Sequence, residues 1–246
     1  MREDLIYGFH VIQCLLDSKP EKILTLYLAD DRDDTRAAAL ILRAEQEGIV
    51  IHRVNKKRLN DWFPSENHQG IVANIRPAAL LSLTDLDTLL DELSTPPLLL
   101  ILDGVQDPHN LGAILRSADA SGVTAVIIPK DRAVALTATV RKVASGAAEL
   151  VPVVQATNLV RCLDHLKQRG IWVVGTEMDA KKTLFETDLK GPIAIVLGAE
   201  GSGLRRLTET QCDFLMKIPM KGSVESLNVS VSAGICLFEA LRQRMT

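Results

Sequence analysis

The sequence predicts an α/β protein in two parts, and three observations carry that prediction. From Leu98 onward, short runs that are apolar on both faces alternate with helical stretches, as expected of a parallel sheet covered by helices. Before Ile75, a shorter strand–helix–strand pattern stands by itself. Between them, residues 76–97 end in Thr95-Pro96-Pro97 and read as a linker. The expected division is therefore 1–75, 76–97 and 98–246.

In the first part, Tyr7 to Leu16 reads as a short helix with Val11, Ile12, Leu15 and Leu16 on one face. Ile23 to Leu28 is a strand, and Thr35 to Glu47 an amphipathic helix closed by Gly48. A strand from Ile49 to Val54, a short helix from Lys56 to Trp62 and a strand from Gly70 to Ile75 complete the unit. The linker holds one helical stretch, Leu83 to Leu93. The second part has strands at Leu98 to Leu102, Ala125 to Ile128, Ile171 to Val174, Ile193 to Leu197 and Phe214 to Ile218. Its helices run Asn110 to Ser121, Thr137 to Ser145, Leu159 to Gln168, Leu204 to Gln211 and Asn228 to Arg242. In a doubly wound sheet of this kind, ligands bind beyond the carboxyl ends of the strands.

Composition narrows the class. With 246 residues, 47% hydrophobic and 24% charged, the chain is an ordinary globular protein able to bury a real core. No apolar run reaches the roughly 18 residues of a membrane span. The start, Met1-Arg2-Glu3-Asp4, lacks the apolar centre of a signal peptide, which predicts a cytoplasmic protein. Cys14, Cys162, Cys212 and Cys236 are scattered and the five histidines dispersed, so packed free thiols and no metal site are expected. A net charge of −3 does not favour nucleic acid by itself. Any such contact must come from local patches such as Lys56-Lys57-Arg58, Arg141-Lys142 or Arg205-Arg206.

Three segments carry chemistry. In Ile218-Pro219-Met220-Lys221-Gly222-Ser223-Val224-Glu225-Ser226-Leu227-Asn228-Val229-Ser230-Val231-Ser232, a strand end leads through a loop into a helix that opens on small and polar residues. Such a helix start lets a ligand approach closely and offers unpaired N–H groups. In Val196-Leu197-Gly198-Ala199-Glu200-Gly201-Ser202-Gly203-Leu204, a buried strand runs into a glycine loop with an acid inside it. That loop has neither the phosphate-loop lysine nor the position of a dinucleotide fingerprint. Glu200 would repel phosphate but suits a sulfonium, a ribose hydroxyl or a cationic side chain. In Leu102 to Ala118, Pro108 and Asn110 mark a helix start, and Arg116 sits among apolar neighbours on that helix.

In this order the three segments resemble the signature motifs of the SpoU family of RNA 2'-O-ribose methyltransferases, over roughly residues 98–246. The resemblance implies a C-terminal SPOUT-type α/β-knot, a trefoil-knotted parallel sheet, and a homodimer formed through it. It implies methyl transfer from S-adenosylmethionine to a ribose 2'-hydroxyl, without a metal. Carried over by motif position, Arg116, Asn110, Glu200, Ser226 and Asn228 are the catalytic candidates. Gly198, Ile218, Met220 and Leu227, with Thr176 as an addition, form the cofactor pocket. Tyr7-Gly8-Phe9-His10-Val11 and His68-Gln69-Gly70-Ile71-Val72-Ala73 further resemble family members that methylate a guanosine in the peptidyl-transferase region of 23S ribosomal RNA. The first part would then be a small α/β RNA-binding domain, similar to ribosomal proteins that bind RNA turns. Two alternatives stay open here: a sister enzyme acting on another ribosomal or transfer RNA, and a catalytically silent RNA-binding protein on the same fold.

Overall fold

The structure, a computed structural model, describes residues 5–64, 67–201 and 203–245. The charged start 1–4 and Ser202 of the glycine loop lie outside the described residues. The chain divides into two compact units, Met1–Ala78 and Ala79–Thr246.

The first unit is a four-stranded sheet with the order β1-β4-β2-β3. β1 (Leu5–Tyr7) and β2 (Ile23–Ala29) each run antiparallel to β4 (Ile71–Ile75), and β3 (Val50–Val54) is parallel to β2. Helices α1 (Phe9–Ser18), α2 (Thr35–Gln46) and α3 (Lys56–Trp62) connect them. Here the helix expected from Tyr7 needs correction. Tyr7 pairs with Val72 in β1, and Gly8, at φ +100, turns the chain in a conformation that only glycine adopts freely, so the helix begins at Phe9. Ile12, Leu15, Leu16, Leu26, Leu28 and Leu40 are fully buried. The two segments singled out in the sequence meet: the Phe9 N–H donates to Gln69 Oε1 at 3.2 Å, and the Arg32 guanidinium lies 4.3 Å from the Phe9 ring centroid. His68 is buried; its Nδ1 accepts from the Gly70 N–H (3.0 Å) and its Nε2 faces Asn60 Oδ1 (2.7 Å). Burial, with Lys56 nearby, lowers its pKa.

The second unit is a seven-stranded, all-parallel sheet in the order β7-β6-β5-β10-β8-β11-β9. Its strands are β5 (Leu98–Asp103), β6 (Ala125–Pro129), β7 (Val153–Ala156), β8 (Trp172–Thr176), β9 (Lys182–Thr183), β10 (Ile193–Gly198) and β11 (Phe214–Lys217). Its helices are α4 (Leu83–Asp91), α5 (Pro108–Ala120), α6 (Ala138–Ala144), α7 (Ala147–Leu150), α8 (Leu159–Gln168), α9 (Arg206–Gln211) and α10 (Val229–Arg244). Alternate residues of β5 enter opposite cores, as a sheet covered on both faces requires. Leu98, Leu100 and Leu102 pack with Leu111, Ile114, Leu115, Leu237 and Ala240, whereas Leu99 and Ile101 pack with Leu163, Leu166 and Leu86. Arg244 fastens the end of α10 by donating to the carbonyls of Pro96, Pro97, Leu189 and Gly191.

Residues 79–97, expected as part of a linker, lie within the second unit. Leu81 pairs with β7 through Leu81 N–H to Val153 O and Gln155 N–H to Leu81 O, both 2.8 Å. The fully buried Leu86 of α4 enters the core on one face of the sheet, while Asp87 binds His165 at 2.7 Å and Arg169 at 3.0 Å. Among the described residues, no helix is long and apolar enough to cross a membrane.

Candidate active site

The carboxyl ends of β5, β8, β10 and β11 lead into one region, where all three motifs come together. β10 ends at Gly198, and the following loop doubles back so that Ala199 bridges Gly203 and the Gly203 N–H donates to Ala199 O at 3.0 Å. Gly201 and Gly203 supply the left-handed turns, at φ +76 and +63. Gly198 is required for a different reason. A β-carbon there would lie 2.1 Å from the Gly203 carbonyl carbon, so the hairpin closes only over a bare backbone.

This loop places Glu200 against the start of α10. Asn228 caps that helix, its Oδ1 accepting from the Ser230 N–H (2.9 Å) and the Ser230 hydroxyl. The cap fixes the amide, and its Nδ2 then donates to Asn110 Oδ1 at 2.9 Å and to Glu200 Oε1 at 2.5 Å. The Val229 N–H, in the helix's first turn, adds a 3.3 Å hydrogen bond to the same carboxylate oxygen. Asn110 is only 7% exposed and lies in the first turn of α5. That helix begins at Pro108, two residues before the expected start, because Asp107 is its cap and accepts from the His109 N–H at 2.8 Å.

Beside this network opens a cavity of about 600 Å³. Gly198, Ile218, Met220, Leu227 and Thr176 all line it, as do Glu200 and Ser226. Asn110, Arg116 and Asn228 are not among the lining residues. The Thr176 hydroxyl donates to the Val196 carbonyl at 3.2 Å, holding β8 to β10. Arg116 stands apart from the other candidates. It is exposed on α5, six residues and about 240° round the helix from Asn110, and it makes no hydrogen bond or ion pair among the described residues.

Sequence reasoning missed several groups here. Glu177 and Met178 follow β8, Lys217 ends β11, and Ser232 lies in the first turn of α10; all four line the cavity. Their signal was position alone, at or just past a strand end or helix start. Asp103, the last residue of β5, was also passed over. It is 1% exposed; its Oδ2 accepts from the Arg205 N–H at 2.9 Å, and its Oδ1, unpartnered by any hydrogen bond, lies 3.4 Å from Arg205 Nε. Asp103 thus ties the far end of the glycine loop to the sheet. Burial pushes the thiols of Cys162, Cys212 and Cys236 up to about 12, leaving them unreactive near neutral pH. Among the described residues, no group of three or more His, Cys, Asp or Glu side chains is placed to hold a metal ion.

A parallel sheet, a glycine loop and a capped helix meeting beside one cavity form a ligand site, and the class of protein is set by family: the chain belongs to the SpoU rRNA methylase family, whose profile matches residues 97–238. A second profile, described as RNA 2'-O ribose methyltransferase substrate binding, matches residues 5–81. Among individual proteins, the chain is 51% identical to the 23S rRNA (guanosine-2'-O-)-methyltransferase RlmB of Vibrio vulnificus, covering 100% of this chain and 99% of that protein. It is 54% identical to RlmB of Shewanella oneidensis over 99% of this chain and 98% of the relative. In three dimensions it matches the SpoU methyltransferase AviRb from Streptomyces viridochromogenes in complex with the cofactor AdoMet, with a TM-score of 0.74 and 26% identity over 98% of this chain and 90% of that one.

Proposed function

We propose that this chain transfers a methyl group from S-adenosylmethionine to the 2'-hydroxyl of a guanosine in 23S ribosomal RNA. The carrying observation is that three separated motifs join Asn110, Glu200 and Asn228 beside the cavity, in a chain that belongs to this family. Near-complete coverage of relatives named for that reaction supports the substrate.

The cavity suits the cofactor. Gly198, Ile218, Met220 and Leu227 offer backbone groups and apolar surface, while Glu177 and Glu200 suit a cationic sulfonium. Thr176 takes part through its backbone, since its hydroxyl is already engaged. When bound, S-adenosylmethionine supplies the methyl group on a positively charged sulfur; positioning the acceptor and moving its proton fall to the side chains. Glu200 accepts the hydrogen bond of the ribose hydroxyl, with Asn110, Asn228 and Ser226 orienting the ribose. Arg116 grips the target phosphate and stabilises negative charge developing on the ribose oxygen.

The rest of the reading concerns assembly. The first unit selects RNA, the protein works in the cytoplasm, and the second unit carries the trefoil knot and forms a homodimer. Val231 and Phe238 of α10 and Met245, its C-cap, support the dimer: they recur every seventh residue and are 49%, 49% and 78% exposed. Two small residues of α10, Ala233 and Gly234, serve its packing within the second unit. Ala233 is buried in the core, and a β-carbon on Gly234 would sit 3.7 Å from Ser117 Oγ of α5. To test the activity, purified protein is given labelled S-adenosylmethionine and undermethylated 23S ribosomal RNA, and the RNA is digested to nucleosides. Label in 2'-O-methylguanosine is expected. Unlabelled RNA despite measured cofactor binding would overturn the reading.

A further inference from the structure

We infer that the α3 face of the first unit's sheet is a stacking surface for unpaired RNA bases, with Tyr27 and His52 as the platform and Lys57 and Arg58 as the phosphate contacts. This rests on the reading that the first unit selects RNA, and it says where and how.

The sheet register makes the platform. Tyr7 pairs with Val72, Val72 with Tyr27, and Tyr27 with His52, so these four side chains form one row across all four strands on the same face. The chain's two tyrosines, out of only nine aromatic residues, both stand in this row. At one end Phe63 closes on Tyr7, with ring centroids 4.6 Å apart. Trp62 meets Tyr27 edge-on at 4.9 Å. The other end is open: Tyr27 and His52 stack at 5.6 Å with their planes 26° apart, and His52 is exposed. The next row, Asn74, Thr25 and Val50, continues the open face, with Val50 55% exposed. A partly stacked ring pair at a sheet edge, its outer member His52 exposed and Tyr27 half-buried, is what an unpaired base can extend.

Charge selects the occupant. Lys56, Lys57 and Arg58 open α3 and are all exposed. Arg58 lies 5.2 Å from the Trp62 ring centroid, and neither it nor Lys57 makes an ion pair among the described residues. Lys56 has only a 3.9 Å contact with Asp31. An arginine without an ion pair beside a half-buried ring, with a second such cation next to it on the helix, fits a polyanion that carries flat bases, which is RNA in its unpaired stretches.

The test uses the full chain. RNA substituted with 4-thiouridine is irradiated in its complex with the protein, and the adducts are located by mass spectrometry. Adducts on Tyr27, His52, Trp62 or the peptide spanning 50–62 are expected. Adducts elsewhere in residues 5–78 overturn this surface but leave RNA selection to the first unit, whereas adducts confined to 79–246 overturn both. In parallel, His52→Ala and the Lys57→Ala/Arg58→Ala pair, all at exposed positions, should raise KM for 23S ribosomal RNA roughly 5- to 150-fold. KM for S-adenosylmethionine should not move. Tyr27→Leu keeps the apolar bulk but loses the ring, and should follow His52→Ala. Unchanged KM on protein-free RNA overturns the inference, even where the same variants fail on ribosomal particles, a result that would assign the face to a protein.

Discussion

Gly198 illustrates how single residues set this site. With the β-carbon position 2.1 Å from the Gly203 backbone, Gly198→Ala must push the loop that carries Glu200 away from α10. Cofactor binding, read by calorimetry, should weaken about tenfold or more, equivalent to about 1.4 kcal/mol. Affinity within error of the parent would mean that the loop does not shape the pocket. Arg116 behaves differently, because it is exposed and lines no part of the cavity. Arg116→Ala should lower the transfer rate about 10²- to 10³-fold while cofactor affinity stays unchanged. Arg116→Lys should rescue little, since it keeps the charge and loses the planar fork. A matching loss of cofactor binding would contradict its place on the acceptor side. Motif spacing singles out Gly198, Glu200 and Asn228, but Asp103, just past the strand expected at Leu98 to Leu102, carries no such signal. Its partner is the Arg205 backbone, 102 positions away, a contact that no local pattern encodes.

Among the elements, long periodic ones were legible and short ones were not. The strand at Ile193–Gly198 and the helix at Leu159–Gln168 emerged near their predicted bounds, since both repeat an apolar pattern over several residues. β1 has three residues, β9 two, and β7 four just after a proline, which is too little for periodicity to register. The segment around α4 shows another limit. Its end at Thr95-Pro96-Pro97 suggested a linker, whereas Leu86 at the centre of α4 is fully buried. Leu86→Ala should therefore destabilise the second unit by about 2–5 kcal/mol, with hydrogen exchange rising there and not in the first unit. Protection unchanged across the second unit would detach α4 from it. On α10, Phe238→Glu puts a charge into the exposed apolar stripe. Light scattering should then find monomers at micromolar concentration, and dimers for the parent chain. A variant that stays dimeric would place the interface elsewhere.

For the molecule as a whole, the two units divide the labour. One holds the motifs and the cavity; the other carries paired aromatic and basic groups without any of the three motifs. Residues 1–78 hold 11 Lys+Arg against 12 Asp+Glu, so the proposed RNA recognition there works through shape and a few local contacts rather than broad phosphate attraction. The α/β class and the separation into parts followed from the spacing of strands and helices. The reaction became legible only when three motifs, each modest alone, were read in order. The target nucleotide has no signature in the residues and must be read from RNA. The direct measurement is a map of 2'-O-methyl groups across ribosomal and transfer RNA in cells with and without the gene. The account predicts that one guanosine of 23S ribosomal RNA loses its methyl group and regains it from the parent gene, but not from one carrying Arg116→Ala. A missing methyl group on transfer RNA, or none missing anywhere, would contradict it.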